Sequence, residues 1–468
     1  MTVRRKITRR RFLGDAVGAG VGLGAGVLVL GNPASARTFT ANEAAKIALV
    51  GVAGRGLWFT DLLPRTREMD LVALCDVDEY KAKGVFEKFP KLPKFNDFRV
   101  MLDQMGKGID GVIVATPDST HAVASAAAIR HGKAIYTEKP LTHDVYESHV
   151  LRTLARERKV ATQMGNQGTS SGAFRRALEL IRGGVLGEIK EVYVWCMGGG
   201  GGRPQVNKTD VPCPKTLHWD LWLGPAKYRP YHSMWMKWKA WREFGTQSLG
   251  NWGSHSANLA FMAMNVHSLW HMDPAAKPRL RFRGGAEKVD TECWPRWWTC
   301  TWQVPARGDL PPVPFHWLTT SAPTFGEFQE KMKAVKMKLN EHGLPGYPGS
   351  HHTGCFLIGT KGALVSNSHN PTFTLLPEDK WKGFEGPPET LPRGIGHERE
   401  WVRALKGGPA AFSNYDYSGP LNEFLQLANV ASLVPDVDLE YDPLACRIVN
   451  HDKADALLRR TYREGWTL

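Results

Sequence analysis

Ile47-Ala48-Leu49-Val50-Gly51-Val52-Ala53-Gly54-Arg55-Gly56 decides the fold. The four apolar residues read as a buried strand, and the glycines that follow read as a tight turn into a helix running through Leu63. Glycine at such a turn lets the backbone come close to a pyrophosphate, whose charge then meets the free amides of the helix start. Ala53 stands where the dinucleotide fingerprint has its second glycine, and its methyl tightens that approach. An ordinary strand-to-helix turn would look the same in isolation, so the neighbouring segments have to decide.

They favour a dinucleotide. A second apolar run, residues 71–75, ends in Asp76, twenty residues after Gly56. A carboxylate there accepts hydrogen bonds from an adenosine ribose and repels a 2′-phosphate, which predicts NAD in preference to NADP. It can also cap the helix that follows. Further apolar runs at 111–115, 134–136 and 160–163, separated by helix-length segments, are what a parallel sheet covered on both faces requires. Residues 44–165 are therefore expected to form a doubly wound Rossmann domain.

Beyond it, a helix is predicted over 171–182 and a strand over 188–195. Strands follow at 298–304, 315–321, 354–358, 363–366 and 372–376, and helices at 398–405 and 421–433. The fold class is α/β: the Rossmann domain plus a C-terminal α+β domain with an open, mostly antiparallel sheet over 166–450, and a tail over 451–468. Within the second domain, residues 198–248 form an irregular insertion rich in Gly, Pro and Trp, expected to fold over a site.

The formal charge of the 468 residues is +14, a value that invites a nucleic-acid reading. Much of it is local, because Arg4, Arg5, Lys6, Arg9, Arg10 and Arg11 all precede residue 12. The remainder has no dense basic run and no nucleic-acid motif, so no nucleic-acid partner is expected. Thr8-Arg9-Arg10-Arg11-Phe12-Leu13, a weakly apolar glycine-rich stretch and Ala34-Ser35-Ala36 look like a twin-arginine export signal over 1–36. Asp15 and the glycines argue against the alternative, a membrane anchor. Export machinery is then a partner, and a periplasmic or otherwise exported location is expected. The seven cysteines include no Cys-x-x-Cys pair and give no structural zinc signature. An oxidising compartment permits disulfides, Cys293 with Cys300 being one candidate, although spacing does not fix connectivity. His351-His352 is no metal site on spacing alone, and no metal is expected.

Ala115-Thr116-Pro117-Asp118-Ser119-Thr120-His121 lies where a crevice opens beyond the strand ends, and Tyr136-Thr137-Glu138-Lys139-Pro140 follows the next strand. The fingerprint, Thr116-Pro117 with His121, Glu138-Lys139-Pro140, the Gly165-Asn166-Gln167 turn and the downstream His255 occur in the order of the glucose-fructose oxidoreductase / inositol dehydrogenase family, Gfo/Idh/MocA. The chain resembles that family from Lys46 to nearly its end, and specifically a subgroup carrying export signals.

The resemblance implies that Gly51, Ala53, Gly54, Arg55, Gly56, Asp76, Thr116, Pro117, His121, Glu138, Lys139, Asn166 and Gln167 surround the cofactor. It also implies that Lys139 contacts both the nicotinamide ribose and the substrate hydroxyl, with the bond to Pro140 often cis. A positioned ammonium there stabilises the alkoxide that develops as hydride leaves a carbinol carbon. The family pattern Asp-x-x-x-His becomes Asn251-x-x-x-His255, with His255 as acid/base. Residues four apart share a helix face, yet an amide carries no proton as the family carboxylate would. Trp241, Arg242 and Asn258 are further candidates for the substrate, since flat indoles suit the apolar faces of sugar rings. Packing against the core is the plainer role for any single tryptophan.

Together these readings predict an NAD(P)-dependent oxidoreductase acting on a carbohydrate or polyol hydroxyl. Free dinucleotide is scarce outside the cytoplasm, so the cofactor is expected to be tightly bound and recycled inside the site. Redox-assisted glycoside cleavage, or a non-catalytic carbohydrate-binding protein on the same fold, are the alternatives. Relatives commonly pair through the open sheet, so a homo-oligomer is expected.

Overall fold

Six short strands carry the first domain: β1 Ala45–Val50, β2 Met69–Cys75, β3 Lys94–Phe95, β4 Gly111–Val114, β5 Ala134–Glu138 and β6 Thr162–Gly165. They pair in the order β3-β2-β1-β4-β5-β6, every pair parallel. β1 pairs with β2 on one side and β4 on the other, so the order reverses there and a crevice opens beyond the strand ends. The computed structural model describes residue 39 and residues 43–197, 211–350 and 352–468. The expected export signal, residues 198–210 of the insertion and His351 lie outside the described residues.

The second sheet has nine strands: β7 Ile189–Cys196, β8 Leu280–Ala286, β9 Trp298–Val304, β10 Val313–Thr319, β11 Thr353–Gly359, β12 Ala363–Asn367, β13 Phe373–Leu376, β14 Asp438–Asp442 and β15 Arg447–Ile448. Their order is β13-β12-β11-β7-β10-β9-β8-β14-β15; β7 and β10 run parallel and all other neighbours antiparallel.

Two helices join the layers. The helix Tyr415–Ala431 is buried along almost its whole length and lies between the helix Val145–Arg158 and the second sheet. On the sheet side Phe424 stacks on Trp302 at 4.2 Å and meets Phe315 edge-on at 5.1 Å. Burying aromatic side chains of this size stabilises by about 1.5–3 kcal/mol each. Pro420 removes an N–H from the helix interior, and the Asp416 carbonyl one turn earlier is taken up by His271 Nε2 at 2.9 Å. The helix His397–Leu405 returns to the first sheet. There Trp401 and Leu405 pack so closely on Gly111 that a Cβ at that position would lie 2.9 Å from the indole.

The expected disulfide does not form. Cys293 belongs to the small core of the insertion, while Cys300, on β9, lies in the main core.

Candidate active site

The fingerprint turn is built as its glycines demand. Gly51 has φ +83°, and a Cβ on it would sit 2.7 Å from the Ala115 carbonyl oxygen; a Cβ on Gly56 would sit 2.0 Å from the Gly51 oxygen. Gly54, at φ +56°, faces open space. Asp76 fastens this turn: Oδ2 accepts from the Val52 and Ala53 amides at 2.9 and 3.4 Å, and Oδ1 from Asp78 N at 2.9 Å. Burial raises the Asp76 pKa while these amides lower it.

Beyond the turn lies a cleft of about 390 Å³, lined by Gly51, Ala53, Gly54, Arg55, Asp76, Thr116 and Pro117. Its opposite wall comes from the Trp-rich insertion, through Trp222, Met236, Trp238 and Lys239. The cleft is in the size range of small-molecule sites. Backbone without side chains at one end and a carboxylate at the mouth fit a dinucleotide.

The insertion is fixed to both lips of this cleft. Past β2, His218 N donates to Val77 O and Glu79 N to Thr216 O, each at 2.9 Å. Past β4, Ser119 N donates to Phe244 O at 3.1 Å, and Asp118 Oδ2 accepts from Thr246 N at 3.0 Å and Thr246 Oγ1 at 2.6 Å. The tail closes the other side, with Arg463 donating to Gly224 O and Arg460 to Ser119 O.

At the inner end, β5 finishes in Glu138 and the Lys139–Pro140 bond is cis, as the resemblance implies. His121 is buried between the Thr116 and Pro140 carbonyls, at 2.9 and 2.7 Å, and so holds the loop rather than facing the cleft. Arg55 reaches from the fingerprint turn to Glu138 Oε1 at 2.8 Å, and Gln167 Nε2 donates to the same oxygen at 3.2 Å. A Cβ on Gly165 would lie 2.6 Å from the Glu138 carboxyl group, so the Gly165-Asn166-Gln167 turn leaves room for that pair. Asn166 is buried, accepts from Ser413 Oγ, and has no hydrogen-bond partner for Nδ2.

Lys139 Nζ donates to Asn251 Oδ1 at 3.2 Å, and Asn251 Nδ2 donates to Gln247 O at 2.9 Å, which orients the amide. Asn251 lies on a π-helical turn, Leu249–Gly253, a distortion frequent at functional sites. His255, one step further along, is buried and its Nδ1 has no partner. Burial pushes its pKa well below the ordinary histidine value, with the Lys139 charge adding to the effect. Burial also lowers the Lys139 pKa, against the opposing pull of Glu138 and Asp118. The structure thus brings Lys139, Asn251 and His255 together. A neutral imidazole can hydrogen-bond a hydroxyl, and an ammonium beside it can stabilise the oxygen left when that hydroxyl loses its proton.

Three expected substrate residues are placed elsewhere. Trp241 is buried among the insertion's aromatics, 4.7 Å from the Trp235 ring, and donates to Met234 O. Arg242 donates to Cys293 O and Ser432 Oγ and stacks on Trp294 at 4.1 Å. Asn258 donates to Thr169 Oγ1 and accepts from Tyr417 OH at 2.6 Å. Each is held by internal partners, so the plainer packing role prevails.

Trp238, one of the insertion's tryptophans, borders the site together with Met236, Lys239 and His369, which were not singled out in the sequence. The tryptophan cluster was the available signal for Met236 and Lys239; a lone histidine in a hairpin turn gave none. Among the described residues, His149, Glu423 and Cys446 place metal-capable atoms within 4.8 Å. Arg152 Nη2 already lies 3.4 Å from His149 Nδ1 and 3.9 Å from Glu423 Oε1, so a guanidinium supplies the cation there.

Residues 45–166 match the family described as "Oxidoreductase family, NAD-binding Rossmann fold", Gfo/Idh/MocA. The match is confined to the first domain, whose fold binds NAD. Among curated proteins the chain is similar to a glycosyl hydrolase family 109 protein of Stenotrophomonas maltophilia (strain K279a). The two are 28% identical over 198 residues, which cover 39% of this chain and 40% of the relative. It is also similar to the scyllo-inositol 2-dehydrogenase (NAD(+)) of Bacillus subtilis (strain 168), 37% identical over 86 residues, 18% of this chain and 25% of that enzyme. The matches thus span two fifths or less of these relatives. Among solved structures, the WlbA dehydrogenase from Bordetella pertussis, in complex with NADH and UDP-GlcNAcA, shares the fold with TM-score 0.55 at 14% identity. That likeness covers 85% of this chain and 98% of the dehydrogenase.

Proposed function

We propose that the protein is an NAD-dependent oxidoreductase acting on a carbohydrate or polyol hydroxyl, with the dinucleotide held tightly and recycled within the site. The observation that carries this reading is the Lys139–Asn251 contact at 3.2 Å, with His255, whose Nδ1 has no hydrogen-bond partner, buried near it. When bound, NAD supplies the hydride acceptor. Lys139 stabilises the oxygen of the reacting hydroxyl, Asn251 keeps the ammonium in place, and burial, which favours the neutral form of His255, leaves that ring able to hydrogen-bond and orient the hydroxyl. An inositol dehydrogenase among the similar proteins supports a polyhydroxy substrate.

Tight retention is supported by the insertion, hooked to the segments after β2 and β4 on the two sides of the cleft. It also suits a protein exported with its cofactor already loaded, through the twin-arginine signal proposed for residues 1–36, to the periplasm. Pairing of copies through the nine-stranded sheet completes the proposal.

Protein purified without added cofactor, dialysed and denatured should release NAD detectable by mass spectrometry. The native protein should gain the reduced-nicotinamide absorbance band when mixed with an oxidisable polyol. Protein free of dinucleotide and inert until NAD is added would overturn the retained-cofactor reading. A second reading, glycoside cleavage through transient oxidation, is favoured by two similar proteins described as glycosyl hydrolase family 109. Free sugar released from a glycoside panel with no net change in cofactor redox state would select it.

A further inference from the structure

A second imidazole stands beside His255. His369 lies in the turn between β12 and β13, with its ring centroid 4.2 Å from that of His255 and the planes inclined at 40°. Trp252, exposed on the π-helical segment, meets it edge-on at 5.9 Å.

The turn is anchored to the site. Asn370 adopts φ +59°, a left-handed conformation that asparagine tolerates, and its side chain accepts from Leu259 N and donates to Asn367 O. Ser256 Oγ donates to the Ser368 carbonyl at 3.2 Å. Gly168, just past the Gly165-Asn166-Gln167 turn, passes so close that a Cβ there would fall 1.8 Å from the His369 carbonyl oxygen. The hairpin tip is thereby docked on the helix that carries His255 and on the turn that supports Glu138.

His369 Nδ1 is paired with Ser368 Oγ at 2.9 Å. A hydroxyl can give or accept that hydrogen bond, so Nε2 can stand bare or protonated without losing the ring's support. His369 is partly exposed where His255 is buried, and the charges facing it are Lys139 and Arg55, both of which lower its pKa in addition to burial.

We propose that His369 is a substrate-contacting acid–base residue of this site, exchanging a proton between the reacting hydroxyl and solvent. The proposal rests on the oxidoreductase reading above. In the oxidation direction the hydroxyl O–H bond breaks and an Nε2–H bond forms on His369. The carbinol C–H pair leaves as hydride to the bound NAD, the oxidant, and the imidazolium then returns its proton to water. His255, next to the same oxygen and closed off from water, orients the hydroxyl. This division supplies the proton acceptor that Asn251 cannot be.

Two measurements test it. In the NAD-loaded protein with ring-labelled histidine, the NMR signal lost in His369→Gln should titrate, with its midpoint below the ordinary histidine value. Its midpoint should rise in Lys139→Met, where the facing ammonium is gone. A ring that does not titrate would overturn the assignment without touching the oxidoreductase reading. In turnover with myo-inositol, scyllo-inositol or glucose, His369→Gln should lower kcat roughly 10²-fold or more. It should also remove the acidic limb of the pH profile and leave NAD content unchanged. A variant that keeps the limb and only raises KM would show a binding role and overturn the proposal. A wild type inert toward every polyol, glycosides included, would instead sink the oxidoreductase reading, and the His369 role with it.

Discussion

The ammonium of Lys139, carried by the first sheet, donates to the side-chain oxygen of Asn251, carried by the second domain, at 3.2 Å. This bond joins the first domain to the second. It makes an amide the partner of a cation whose pKa burial already lowers.

Replacing that amide by a carboxylate reverses part of the effect. In Asn251→Asp a negative charge would face both Lys139 and His255 and favour their protonated forms by about 1–3 pH units. The pH dependence of bound-NAD reduction by a polyol should move upward accordingly, and an unmoved profile would show that Asn251 does not face the reacting groups.

Lys139→Met keeps the side-chain length and removes the charge. Turnover should fall roughly 10²- to 10⁴-fold while the dinucleotide stays bound, because the cleft is otherwise walled by backbone, Asp76 and the insertion. Turnover and absorbance of the purified variant check both halves.

Asp118→Ala cuts the two bonds that tie Thr246, at the end of the insertion, to the segment after β4. A loosened cover should release NAD roughly tenfold faster, about 1.4 kcal/mol off the barrier. Dinucleotide remaining after timed dialysis measures it, and a retention time equal to wild type would mean that the cover does not hold the cofactor.

Stability should fall in mild acid. Burial lowers the His397 pKa to about 4, and that of His255 well below its ordinary value of 6.5. Below pH 6.5 the unfolded chain takes up protons that the folded chain refuses. Stability present at neutral pH is therefore lost as the pH falls from 6.5 towards 4, by about 1.4 kcal/mol per pH unit for each such histidine. Thermal unfolding followed over that range should show a steep decline, shallower in His397→Gln.

Much of this was legible in the sequence where one rule acted alone. The five main parallel strands follow from uninterrupted apolar runs, and only the two-residue β3 was too short to register. β8 carries Arg281, Arg283, Gly284 and Gly285, which interrupt any apolar run. In the structure the arginines pair with Glu440 and Asp438 on β14, and Gly284 makes room for Ala431. The helix Tyr415–Ala431 begins earlier than its apolar pattern suggests, because His271 satisfies the carbonyl that Pro420 leaves open. At the site, Lys139, Asn251 and His255 followed from motif order. The burial of Trp241 and Arg242 on the irregular insertion, and of Asn258 on the helix Asn258–Ala263, did not, since side-chain direction there is set by partners far away in the chain. His369 had no local signal at all, as its place depends on Gly168 and Ser256.

The central claim is that one cleft holds NAD with a hydroxyl-bearing carbon against Lys139. It is tested most directly by following the hydrogen itself. Protein carrying its own NAD is mixed with myo-inositol deuterated at its ring carbons, and the released dinucleotide is weighed by mass spectrometry. Reduced dinucleotide carrying deuterium from the wild type, and none from Lys139→Met, is the predicted result. Unlabelled dinucleotide from the wild type with any oxidisable polyol, or equal labelling in the variant, would contradict it.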